Sequence, residues 1–90
     1  MKRVEVIFSQ ALEDEILSAI APIPEAAHYS IIPNVRGKGY TVPKMGDAIW
    51  PGINEILVVY CSDAGAKAIE REVTKVRDAS PNEGVAFFVS

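Results

Sequence analysis

The chain has 90 residues, 49% apolar and 23% charged, with a formal net charge of −3. That length allows one domain, residues 1–90, with a modest core. The apolar share excludes a disordered chain, the acidic balance argues against a protein that coats nucleic acid, and a single cysteine, Cys61, excludes an intrachain disulfide and fits a reducing cytoplasm.

Val4, Val6 and Phe8 alternate with Glu5 and Ile7, which predicts a strand over 2–9. Ser9 or Gln10 then opens a helix. Glu13, Asp14 and Glu15 occupy its first turns, where the helix dipole favours carboxylates. Leu12, Ile16, Ala19 and Ile20 recur at helical spacing, and Pro22 and Pro24 end the helix. Residues 26–36 return to strand character, with Tyr29, Ile31 and Val35 expected on one face and His28, Ser30, Ile32 and Asn34 on the other. Pro33 lies inside this run and has no N–H to give a ladder, so the strand is expected at a sheet edge or bulged.

Residues 36–52 hold four of the six glycines, two prolines, the cations Arg36, Lys38 and Lys44, and the only tryptophan, Trp50. A connection of this length between strands is uncommon in a small domain and points to a segment that binds or moves. Residues 55–61 are apolar on both faces, as a central strand requires. Ser62 is placed to cap the next helix with Asp63 in its first turn, and Ala66, Ile69, Val73 and Val76 form its apolar stripe. A turn over 80–84 leads to a last strand over 85–89, with Val85, Phe87 and Val89 on one face and Ala86 and Phe88 on the other.

The order strand, helix, strand, strand, helix, strand predicts an α+β, ferredoxin-like βαββαβ sandwich, a four-stranded antiparallel sheet with two helices on one face. Right-handed crossovers put the first and third strands at its centre. The face without helices keeps apolar side chains. Their burial, at about 25 cal/mol per Å², favours a homo-oligomer. The longest apolar run, 56–61, is far short of the ~20 residues of a spanning helix, and residues 1–8 do not read as a signal peptide. No direct membrane insertion is expected.

Three stretches resemble the nitrogen regulatory P-II (PII) signalling proteins and their shorter PII-like relatives. Met1 to Ile7 looks like the PII first strand, Val35-Arg-Gly-Lys-Gly39 like the exit into the long T-loop, and Gly84-Val-Ala-Phe-Phe-Val89 like the B-loop glycine and final strand. Residues 43–52 resemble the T-loop of short-loop variants, so 36–52 is the T-loop equivalent. The resemblance implies a homotrimer whose inter-subunit clefts bind a small ligand, an adenine nucleotide in many members. It also implies a loop that docks onto a protein partner, such as a membrane transporter. Ile7, Gly37, Gly39 and Gly84 match cleft-lining positions, with Lys38 between the loop glycines in reach of a phosphate. Val85 stands where nucleotide-binding members carry a B-loop lysine, and the two arginines of their C-terminal segment have no counterpart in these 90 residues.

Gly37 and Gly39 free backbone N–H groups to approach an anion, and Arg36 and Lys38 add positive field; the plain alternative is a solvated strand exit. Arg36, Tyr40, Lys44, Met45 and Trp50 are the partner-binding candidates of the loop, since aromatic anchors dominate interfaces; the alternative is that Trp50 packs on its own or a neighbouring subunit. His28 and Cys61 are the soft metal ligands, too few in one chain to close a four-ligand site. Lys67, Arg71 and Lys75 read as a solvated helix face offset by Glu70, Glu72 and Asp78. No nucleophile–base constellation is present, so no enzymatic activity is expected. Three readings follow: a PII-like regulator, a metal-responsive trimer resembling the CutA type or the PII-like proteins linked to heavy metals, and a structural trimer without ligand.

Overall fold

The computed structural model describes residues 1–36 and 53–90. Strand β1 (Lys2–Ser9), helix α1 (Glu13–Ile20), strands β2 (Ser30–Val35) and β3 (Asn54–Cys61), helix α2 (Asp63–Ala79) and strand β4 (Val85–Val89) follow the predicted order. Short 3-10 turns at Gln10–Leu12 and Pro24–Ala26 flank α1. The strands form one antiparallel sheet in the order β2-β3-β1-β4. The ferredoxin-like sandwich, the central first and third strands and the edge position of β2 are therefore as the sequence predicts.

The alternation of β1 decides which face the helices cover. Val4, Val6 and Phe8 are fully buried, in register with Val59, Leu57 and Glu55 of β3. Ile16 and Ile20 of α1 and Ile69 and Val73 of α2 join them in one core cluster. Ser9 starts the first 3-10 turn by accepting a hydrogen bond from the Ala11 amide at 3.4 Å. Ser62 caps α2 by accepting one from the Gly65 amide at 3.1 Å.

A second contact fixes the start of α2. The Glu25 carboxylate accepts hydrogen bonds from the Ser62 amide at 2.8 Å and from the Ser62 hydroxyl at 2.7 Å. Those hydrogen bonds hold the Glu25 carboxyl below its ordinary range. Gly65 lies directly against this clasp: a Cβ there would come 2.5 Å from Glu25 Oε2 and 3.1 Å from Cys61 Cβ. A side chain there would have to displace the end of the Glu25 side chain from Ser62.

β2 departs from expectation at its start and in the face of Val35. It begins at Ser30, after His28 and Tyr29, because the Pro24–Ala26 turn occupies the preceding chain. It is bulged around Pro33, as that residue leads one to expect. Ile32 pairs with Ile56, but Val35 pairs with Asn54, so β2 carries one more residue than β3 between these pairs. Asn34 takes a φ of 60°, in the left-handed region that asparagine tolerates. The extra residue puts Val35 on the side of Ile32 instead of Ile31, which corrects the expected grouping of Ile31 with Val35.

Gly65→Ala is expected to push Glu25 off Ser62. In a double-mutant cycle read by urea denaturation, Gly65→Ala should therefore cost less in a Glu25→Ala background than in the wild type. Equal costs in the two backgrounds would show that the clasp and the glycine are independent.

Candidate functional site at the loop end of the sheet

The side of the sheet away from the helices is read off the register. Ile32, Ile56, Ile7 and Ala86 form one row across all four strands. Ser30, Val58, Glu5 and Phe88 form the next. Ile32 is 46% and Phe88 55% exposed. One end of this apolar face is polar: the Arg3 guanidinium donates to Glu5 at 3.3 Å and to the Tyr60 hydroxyl, and both interactions hold its charge in place.

At the opposite end, β1 and β2 finish while β3 and β4 begin. Residues 37–52 connect β2 to β3 there. Ile7 lies on the open face, opposite Ile56 and Ala86. Gly84 comes two residues before Ala86, after a turn closed by a hydrogen bond from the Glu83 amide to the Ser80 carbonyl at 3.0 Å. Arg36 is exposed directly after β2. The described ligand candidates Ile7 and Gly84 and the loop candidate Arg36 thus gather at one end of the sheet. Gly37, Lys38, Gly39, Tyr40, Lys44, Met45 and Trp50 lie outside the described residues. Val85 pairs with Phe8, on the helix-facing side.

The metal candidates sit in different settings. His28 is exposed ahead of β2, while Cys61 is buried at the end of β3. Burial, then the nearby Glu25 and Asp63 charges, push the Cys61 thiol up, which disfavours the thiolate that binds metals. Among the described residues no cluster of three or more His, Cys, Asp or Glu side chains is placed to hold an ion. On α2, Lys75 and Arg71 reach Glu72 at 3.1 and 4.0 Å and Lys67 is exposed, so that cationic stripe is a solvated helix surface with two of its three cations paired to Glu72.

Reading the sequence missed one group at this end. Glu55 is 3% exposed on the helix-facing side of β3 and hydrogen-bonds the side chain of Glu13, the first residue of α1. Its position in an otherwise apolar run, in phase with Leu57 and Val59, was the available signal.

No protein-family model matches the chain, and no curated protein matches it in sequence. Solved structures do match in shape. CPII, a nitrogen regulatory PII-like protein from Thiomonas intermedia solved with ADP, AMP and bicarbonate, aligns with a TM-score of 0.81 at 15% identity, over 99% of this chain and 82% of its own. The same protein with ADP and bicarbonate gives a TM-score of 0.80 at 16% identity, again over 99% and 82%. A protein from Thermus thermophilus assigned to PII-like signalling gives 0.70 at 20% identity, over 99% of this chain and 83% of its own. Among the described residues no helix is long and apolar enough to cross a membrane. The chain has the fold of the PII-like signalling proteins.

Proposed function

We propose that this chain is a non-enzymatic, PII-like regulator. It assembles as a homotrimer through the open face of its sheet and takes a small ligand, an adenine nucleotide, in the clefts between subunits at the loop end. Residues 36–52 carry the state of the cleft to a protein partner. The observation that carries this reading is the fold shared over 99% of the chain with a PII-like protein solved with ADP and AMP, together with the placing of Ile7, Gly84 and Arg36 at one end of the sheet.

The physical case has two parts. On the open face Ile32 and Phe88 are exposed and Ile7, Ile56 and Ala86 half-buried; these side chains lose water most simply against further copies of the same sheet, and a head-to-tail contact that closes on itself gives a ring such as a trimer. In the sequence between β2 and β3, Gly37 and Gly39 carry no side chain to shield their backbone N–H groups from an anion, and Arg36, Lys38 and Lys44 are cations suited to phosphate. With Val85 in place of a B-loop lysine, fewer cations converge on the phosphates. A mono- or diphosphate then suits the site better than a triphosphate.

Calorimetric titration with AMP and ADP should give saturable binding. Lys38→Ala should weaken it by about tenfold, the worth of one charge-assisted hydrogen bond. Absence of heat, and of any change in Trp50 fluorescence, at millimolar nucleotide would overturn the ligand assignment.

The wild type should sediment as a trimer at micromolar concentration. Phe88→Asp, which puts a charge into the open face, should shift it to monomer with its far-UV circular dichroism retained. A wild-type monomer would overturn the assembly.

A further inference from the structure

Glu13 and Glu55 come from different elements and meet where the first turn of α1 crosses the start of β3. Glu55 is 3% exposed, and its Oε1 has no hydrogen-bond partner among the described residues. It is opposite Phe8 of β1 and two residues before Leu57 of its own strand. Beyond Phe8, β4 brings the uncharged Val85. Among the described residues, the charge that acts on it is Glu13, half-buried and hydrogen-bonded to it. Asp14 and Glu15 of the same helical turn are exposed, as is Arg36 after β2. Arg77, toward the end of α2, is exposed and paired with Asp78 at 3.7 Å.

Two carboxylates in contact and out of water cannot both hold a charge cheaply. The start of a helix favours the anion on Glu13, whereas burial favours the proton on Glu55. An orphaned carboxyl oxygen in an apolar setting costs least when the group is neutral. The seam also contains a backbone hydrogen bond, from the Gln10 amide to the Ile53 carbonyl at 2.8 Å. That bond ties the turn before α1 to the residue before β3.

We propose that Glu13 and Glu55 form a proton-operated latch between α1 and β3. With one proton on the pair the carboxyls bond and the seam is closed. When that proton leaves to solvent, the two like charges push the first turn of α1 away from the start of β3. The latch thus makes the local stability of the loop end respond to pH, an input separate from any ligand.

Burial first, then the hydrogen bond and charge of Glu13, push Glu55 up to about 7. Its folded value exceeds its unfolded one, so the folded chain binds the extra proton. The stability this provides is fully present below the unfolded value of about 4.3 and is lost as pH rises through about 7.

Hydrogen exchange tests the latch. After correction for intrinsic rates, protection of amides 10–16 in the wild type should fall by about tenfold between about pH 6 and about pH 8.5. In Glu55→Gln, which keeps a hydrogen bond to Glu13 but does not titrate, it should stay constant. If Glu55→Gln does not fold, Glu13→Gln serves instead: it removes the second charge while Glu55 stays buried, so its protection should fall by less than that of the wild type over the same pH range. A wild type with flat protection, or a variant that loses protection in parallel with it, would overturn the proposal. So would a Glu55 carboxyl carbon resonance titrating in the ordinary glutamate range.

Discussion

The pairing of β1 with β3 is the constraint on which the rest depends. The two strands run against each other from Lys2–Cys61 to Ser9–Asn54 without a register break. Strand periodicity then assigns every side chain to a face. Val4, Val6, Phe8, Leu57 and Val59 go to the helices and are buried. Ile7, Ile56 and Val58 go to the other side. A slip of one residue would expose the core and bury Arg3 and Glu5. The helices follow from this choice, since both crossovers must land on the face that carries the apolar stripe.

The same pairing builds the candidate site. It fixes the end of the sheet where β1 stops at Ser9 and β3 starts at Asn54. The chain leaves β2 and returns to β3 at that end, and Gly84 delivers β4 there. The bulge at Pro33 and Asn34 adjusts the exit, turning Val35 to the open side just before Arg36. Two apolar demands meet in this geometry: the covered face closes the core of one chain, and the open face calls for another copy. The proposed ligand site falls at the rim, next to the segment whose sequence concentrates glycines and cations.

Much of the fold was legible because periodicity and punctuation agreed. Alternation in β1, the run of both-face apolar residues in β3, Ser62 at the start of α2 and Pro33 in an edge strand each carry a direct physical signal. The face of Val35 was not legible: Pro33 signalled an edge strand or a bulge without saying which, and a single extra residue inverts the phase. The Glu25 clasp on Ser62 was hidden as well, because it joins residues far apart in the chain and Glu25 looks like any surface carboxylate. Glu55 was readable in principle, since a strand phase filled by Leu57 and Val59 assigns it inward. Its pairing with Glu13 needed three dimensions. Of the candidate site, Ile7 and Gly84 were found from their resemblance to PII positions and Arg36 as a cation at the start of the loop, and their shared location emerges from topology.

The central claim is that the open face and the loop end form one assembly, in which self-association creates the ligand cleft. A crystal structure grown with ADP tests it most directly. The account predicts three chains joined through the Ile7 and Ile56 rows, with ADP between neighbours beside Gly84 and Arg36. ADP bound within a single subunit, or chains packed with that face left to solvent, would contradict it.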